Sequence, residues 1–279
     1  MIELTPGNYY SLETDWDYMS NTQFKNFQKC EAKELARLKG EWEPETKSSS
    51  TNGNPLIMGN FVHSYFESKE SHEAFIEANK AELTSSRGKT VGKLKAPYKK
   101  AETMIKTLED DELFDYFYKP GEKESIVTGE IDGVAWKGKL DSMSLDKGYF
   151  CDLKTVDDIH KRHYNPEERR WVSFVEDYGY HMQMALYQEL VRQTYGKVLT
   201  PLMFAVSKQD VPDKIAIDFE KEDDKQLMRE AMDKIKANQQ HYRKVMMGEE
   251  EPKVCGHCEY CRRIKKLSKF THAIDIEVF

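Results

Sequence analysis

The sequence predicts an α/β or α+β fold with a mixed central sheet, and three observations carry that prediction. Helical periodicity of apolar residues dominates roughly the first 120 positions. Three strand patterns joined by tight turns follow from about residue 124. After about residue 178 the chain reads as helix, two strands and a last long helix. The 279 residues carry a net charge of −7 and are 39% hydrophobic, enough for one elaborated domain or two small ones. A charged fraction of 33% would suit disorder, but 13 Phe, 15 Tyr and 4 Trp supply the apolar area of a core. We expect one domain over 1–279, with a helical part to about 120 and a Cys-rich segment at about 252–266. No stretch approaches the roughly 18 apolar residues of a membrane span, and the N-terminus has neither a basic head nor an apolar run, so a cytoplasmic protein with no membrane partner is expected.

The elements follow in order. Ser20-Asn21-Thr22-Gln23 has the form of a capping box, and Phe24, Phe27, Leu35 and Leu38 then recur at helical spacing, predicting a helix over 21–39 that stops at Gly40. Residues 41–55 read as a loop. Ile57, Phe61, Val62, Tyr65 and Phe66 restart the helical pattern, which puts Cys30 and His63 on separate helices. A lysine-rich approach (Lys89, Lys93, Lys95, Lys99, Lys100) leads into a third helix carrying Tyr98, Met104, Ile105 and Leu108, with 113–117 as a separate turn. Strands are then expected at 124–131, 134–145 and 149–156, joined at Asp132-Gly133 and Asp146-Lys147-Gly148 into a three-strand meander. A helix at 178–195, strands at 198–207 and 214–219, and a charged helix at 221–247 complete the pattern.

The meander carries the chemistry. Residues two apart on a strand share a face, so Asp152 and Lys154 point the same way, and closing the second hairpin brings Asp141 roughly opposite Asp152. Two facing carboxylates repel each other and make good oxygen ligands for a hard cation such as Mg²⁺ or Mn²⁺. An adjacent ammonium steadies charge on a phosphate or hydroxide, and the set suits phosphodiester hydrolysis. Alone, an Asp-x-Lys is more often the solvated face of a strand.

Its company changes that balance, because the ordered series of motifs resembles the PD-(D/E)xK nuclease superfamily in its RecB-like branch. Gly59-Asn60-Phe61-Val62-His63 is similar to the branch's Gly-x-x-x-His, Asp141 to its first carboxylate, Asp152-Leu153-Lys154 to its Asp-x-Lys, and Gln183 to Tyr187 to its Gln-x-x-x-Tyr. The run YGYHMQMALYQELV most resembles phage and prophage RecE-type exonucleases. The resemblance implies a restriction-endonuclease-like core in which Asp141, Asp152 and the Leu153 carbonyl bind the catalytic metal and Lys154 aids the attacking water. It implies that His63 contacts metal or phosphate and that Gln183 and Tyr187 line the site. Glu130 is a further candidate carboxylate. A lone His63 or Tyr187 would more simply be an ordinary helix residue.

Cys255, Cys258 and Cys261 stand at two-residue gaps, so their thiolates can converge on one soft metal centre, with Cys30 as the remote fourth donor. One cysteine before the core and three after it resembles relatives that hold a [4Fe-4S] cluster, although the final gap here is shorter. Zn²⁺ on the same cysteines, or with His257 replacing one, is the alternative, and three reduced thiols in a flexible tail is the bland one. Cys151, beside Asp152, reads as a small buried side chain.

For DNA contact, Arg162, Arg169, Arg170 and Trp171, with His163 and Tyr164, mix cations and aromatic rings between the Asp-x-Lys strand and the Gln183 helix. The expected activity is an exonuclease on ends of linear duplex DNA, and the resemblance implies 5′ to 3′ polarity, 3′ overhangs, a RecT-like annealing partner, a possible homo-oligomeric ring and a phage or prophage origin. The rivals are a RecB-like nuclease for single-stranded ends, in CRISPR adaptation or with a separate helicase, and a silent DNA-binding scaffold.

Overall fold

Ser20 starts the first long helical stretch as expected, its hydroxyl accepting the Gln23 N–H at 3.2 Å. The computed structural model describes residues 1–43, 53–166 and 168–275, so most of the loop expected at 41–55 lies outside the described residues. A short helix, α1 (Leu12–Asp17), and a two-residue strand, β1 (Met19–Ser20), precede the cap. The reciprocal half of the capping box is not made, because Gln23 Nε2 donates to the Asp15 carbonyl at 3.0 Å. The stretch is also two helices, α2 (Asn21–Lys29) and α3 (Glu31–Leu38), not one: Cys30 between them is extended, with φ −168° and ψ 107°.

The remaining helical half is α4 (Pro55–Glu67), α5 (Lys69–Ala78), α6 (Lys80–Leu83), α7 (Ala96–Glu109) and α8 (Glu112–Phe117). Pro55 sits in the first turn of α4, where its missing N–H costs nothing, and the Asn54 side chain accepts the Leu56 N–H at 2.9 Å. Helices α7 and α8 are the expected third helix and separate turn; α1, α5 and α6 lacked a strong enough apolar period to be read in advance.

The meander forms as β2 (Glu122–Ile131), β3 (Val134–Ser144) and β4 (Tyr149–Val156). Its first turn places Asp132 and Gly133 at φ 45° and 83°, the left-handed pair that a tight hairpin requires. A small hairpin, β5 (His163–Asn165) and β6 (Arg170–Val172), leads to α9 (Phe174–Asp177) and α10 (Tyr180–Tyr195). Strands β7 (Thr200–Ser207) and β8 (Lys214–Asp218), the long α11 (Glu222–Met247) and α12 (Glu259–Ile264) finish the chain. The cysteine trio therefore runs into a short helix and is not a featureless tail.

The sheet is mixed and six-stranded. β4 runs antiparallel to β3 and parallel to β7, which α10 makes possible by crossing over, and β8 closes the edge antiparallel to β7. β2 pairs along one whole edge of β3, from Val134 to Met143. The other edge of β3 is shared, with β1 parallel to it at Trp136 and Lys137 and β4 joining at Ser142 to Ser144. Residues 138–141 between them have no strand partner on that side.

One core lies against α2, α10 and α11 and includes Phe24, Phe27, Trp136, Leu186 and Val245; the other lies against α4, α7 and α8 and includes Phe61, Tyr98, Phe114 and Leu153. Each such side chain contributes about 1.5–3 kcal/mol of burial. Trp136, fully buried, donates its indole N–H to Gln239 of α11 at 2.8 Å, fixing that helix to the sheet. Gly138 leaves room for α10 to settle, since a Cβ there would stand 3.0 Å from the Tyr187 ring.

Two polar clamps hold the N-terminal helices. Lys137, 2% exposed, reaches off β3 to the Asp15 carboxylate at 2.7 Å, the Tyr9 carbonyl at 2.7 Å and the Thr14 hydroxyl at 2.8 Å. His241 of α11 bridges Glu31 at 2.9 Å and Glu250 at 2.5 Å, and Glu31 also accepts the Lys253 N–H at 2.8 Å. Glu250, with Glu31 behind it, raises the His241 pKa although partial burial opposes the charge.

Asp15→Ala strips a buried ammonium of its counter-ion and should cost about 3–5 kcal/mol in urea unfolding. The His241 clamp should contribute fully below the free imidazole value of about 6.5 and fade as pH rises through the higher folded value. Thermal melts should therefore show a stability loss as pH rises above about 6.5 that His241→Gln lacks.

Candidate active site

The ladder between β3 and β4 stops at the Ser142–Cys151 pair. One more step would set Asp141 against Asp152, but there the strands part, and Asp141 Oδ2 accepts the Leu153 N–H at 2.7 Å in place of a backbone carbonyl. The β2–β3 ladder lapses at the same level: Lys123 pairs with Ser142 and Ser125 with Leu140, while Glu124, which the count puts opposite Asp141, is left-handed at φ 55°. A cleft of about 830 Å³ opens at this level, lined by His63, Glu124, Asp141, Asp152, Lys154 and Gln183 among others.

Asp152 is 3% exposed. Its carboxylate takes the Lys154 ammonium at 2.7 Å and the Gln183 amide, from α10, at 2.6 Å. Burial raises the Asp152 pKa to about 6, Lys154 opposing and Asp141 adding to the rise. Burial likewise raises Asp141, with Lys154 and the Leu153 N–H opposing. For Lys154, burial works against the charge, but Asp152, Tyr180 and Asp141 hold the ammonium above the ordinary lysine range. His63, from α4, stands 3.5 Å from Asp141; burial, reinforced by Lys154, lowers its pKa and favours the neutral imidazole. Two desolvated carboxylates face one cleft with Lys154 beside them, and the donors are hard oxygens. The residues present fit a divalent cation at Asp141, Asp152 and the Leu153 carbonyl.

Asp141, Asp152, Lys154, His63 and Gln183 thus meet in one cleft, and Tyr187 lines it from one turn further along α10, packed against Gly138. Glu130 does not join them. Its backbone N–H is taken by Gln193 at 2.8 Å, and its side chain lines a different cleft, on the α10–α11 side. It lies six residues beyond Glu124 along β2, about 20 Å at strand rise. Glu124 is the carboxylate that the sequence reading missed; it pairs with Lys139 in the cleft of Asp141 and Asp152. Counting back from the two-residue Asp132-Gly133 turn puts Glu124 opposite Asp141, so the register held the signal.

The expected DNA-contact residues sit on the β5–β6 hairpin and just before it. Arg162 lies over the Trp171 ring at 5.4 Å, and Trp171 meets Tyr164 at 5.3 Å with 58% of its surface exposed. Arg170 is engaged by Glu168 and Glu176, and Arg169 occupies a left-handed position at φ 52°. The hairpin therefore presents Arg162 and exposed rings, while Arg170 is already neutralised.

At the far end of the N-terminal helices the four cysteines converge. Their sulfur atoms all lie within 4.8 Å of one another, with Cys30–Cys261 at 3.5 Å and Cys255–Cys261 at 3.7 Å. The Cys258 and Cys261 N–H groups donate to Cys255 and Cys258 Sγ, each at 3.4 Å, which orients both sulfurs. A zinc–sulfur bond of about 2.3 Å gives a tetrahedron with edges of about 3.8 Å, so the spacing fits one four-coordinate ion. Cys151 is buried away from this group, its thiol near the Phe117 carbonyl at 3.7 Å.

Residues 20–264 match the family model described as a PDDEXK-like domain of unknown function, DUF3799. The chain belongs to that family. Among solved structures it is similar to a crystal structure named "Putative exonuclease" from Eubacterium rectale, at 34% identity and a TM-score of 0.86, covering 99% of this chain and 98% of that one. No curated protein matches. The mixed sheet with helices on both faces is the architecture expected of a PDDEXK-like protein, and the lapse at Asp141 and Asp152 falls within the matched residues. No helix among the described residues is long and apolar enough to cross a membrane.

The spacing of the four sulfurs predicts one bound ion per chain, and Cys30→Ser should lose that metal equivalent in elemental analysis and lower the melting temperature by several degrees. A brown preparation with visible charge-transfer absorption would instead mark iron-sulfur.

Proposed function

We propose that the protein is a divalent-cation-dependent exodeoxyribonuclease acting on ends of linear duplex DNA. The observation that carries this reading is the buried Asp141–Asp152 pair with Lys154 at the point where the sheet opens. A cation bound there supplies charge against the pentacovalent phosphorus and makes the attacking water more acidic.

The chain's own residues do the rest. Gln183 ties down one oxygen of Asp152, and the Leu153 N–H ties down one of Asp141, so both carboxylates are pre-aimed. Lys154 remains protonated and acts as a donor, steadying negative charge on the phosphoryl oxygens and orienting the nucleophile; it is not a base at neutral pH. The neutral His63 imidazole accepts from water or contacts the phosphate. Tyr187 closes the floor. The exposed Trp171 and Tyr164 rings with Arg162 lie on the route by which a strand approaches.

Polarity from 5′ to 3′, 3′ overhangs for phage-type recombination, a RecT-like annealing partner and a ring of subunits around DNA complete the proposal, and they rest on the resemblance to RecE-type enzymes. For the cysteines, the short sulfur separations support one Zn²⁺ as a staple between α3 and the α12 segment. The [4Fe-4S] alternative rests on the one-plus-three order of the cysteines in the chain.

Duplex DNA labelled at either end, incubated with Mg²⁺ or without divalent cation, tests the reading. Release should come from the 5′ end, require the cation, and fall about 10²- to 10³-fold in Lys154→Ala. Release from 3′ ends would overturn the polarity, and preference for single-stranded ends would favour the helicase- or CRISPR-associated reading. Unchanged digestion by Asp152→Ala would remove the catalytic assignment, and no digestion by folded wild type would leave a binding scaffold.

A further inference from the structure

Beside the catalytic cleft lies a larger cavity, of about 1220 Å³, bounded by α2 and α3, the 176–182 segment and α11. Asn26 and Arg37 line both spaces. Tyr180 also joins them, its ring facing Lys154 Nζ at 5.0 Å from the catalytic side and Lys25 Nζ at 5.8 Å from the other.

The charges of this cavity are unevenly spent. Nearly every carboxylate on its wall already has a cation: Glu34 binds Arg37 at 2.7 Å, Glu168 and Glu176 hold Arg170, and Asp177 meets His163 at 2.8 Å. Glu230 accepts from the Gln226 amide at 2.8 Å. The lysines are different. Among the described residues, Lys29, Lys33 and Lys234 pair with no carboxylate, and Lys25 donates only to the Tyr178 carbonyl, at 2.7 Å. Lys25 and Lys29 stand four apart on α2 and repel, and Lys33 lines the same wall from α3, beyond the break at Cys30. Such an arrangement costs stability unless a run of negative charge fills it. The Tyr178 ring, 43% exposed, stands among them as a face on which an unpaired base can stack.

We propose that this cavity is a binding groove for single-stranded nucleic acid, continuous with the catalytic cleft, in which Lys29, Lys33 and Lys234 contact backbone phosphates and Tyr178 stacks on a base. The inference rests on the nuclease reading above and names the route of the strand. The break between α2 and α3 gives the groove its shape, because the extended Cys30 separates Lys29 from Lys33.

The test is fluorescence anisotropy of a labelled oligothymidylate without added divalent cation, so that binding is read without turnover. A protein that digests no DNA can still pass, and one that digests DNA can still fail. The combined variant Lys29→Ala, Lys33→Ala, Lys234→Ala should bind at least about tenfold more weakly, and its slope of log affinity against log salt should flatten by about 2, the sum for three phosphate contacts. Lys236→Ala, an exposed change on the α11 face turned toward the other cleft, should bind like wild type. Tyr178→Ala should weaken binding with little change in salt slope. Wild-type affinity and slope in the triple variant would overturn the proposal, as would an equal loss in Lys236→Ala. Equal competition by polyglutamate would reassign the groove to acidic peptides and overturn it as a nucleic-acid site.

Discussion

The structure turns on a single step of its sheet, the one at Asp141, where the hydrogen-bond ladder lapses on both sides of β3. On one side Glu124 twists into a left-handed conformation, and on the other β4 leans away, so that a side-chain carboxylate takes over the Leu153 N–H. A non-glycine residue at positive φ and an interrupted ladder both cost free energy, and the well-packed layers on either face hold them in place. The consequence is that charged groups stand inside the sheet's plane without exposing its apolar faces. Asp152 can then be buried and still be answered by Lys154 and Gln183.

That arrangement also explains why α10 and the N-terminal helices matter to the cleft. α10 delivers Gln183 and Tyr187 only because Gly138 lets it sit close to β3, and Trp136 locks α11 behind it. From the other side, Lys137 anchors the 9–15 segment to β3 two residues before Lys139, the partner of Glu124. The Asp141–Asp152 cleft thus has one wall made of the sheet and one made of the chain's first helices, the latter fixed by a few buried polar contacts.

Much of this was legible in the residues. Alternating apolar positions and two turn signals suffice for the meander, and its two-residue first turn fixes register closely enough to have found Glu124. Glu130 was a candidate only as a carboxylate on the neighbouring strand, and six residues along β2 from Glu124 move it to another cleft. The break at Cys30 was hidden, since apolar spacing runs smoothly from Phe24 to Leu38 and nothing local shows that a cysteine will be drawn away toward partners more than 200 residues later. Helices α5 and α6 have little buried surface and correspondingly little period. Pairings such as Arg170 with Glu168 and Glu176 are tertiary, so the hairpin's apparent basicity overstated its free charge.

The convergence of Cys30 with Cys255, Cys258 and Cys261 has a bearing on how the molecule is made. Residue 30 leaves the ribosome long before residue 261, so during synthesis α2 and α3 wait with one cysteine and a lysine-rich face, and the sheet can be complete while that wall is still unfastened. The four sulfurs can therefore converge only after the C-terminal segment has been made, so the wall that Cys30 anchors is the last to be fastened.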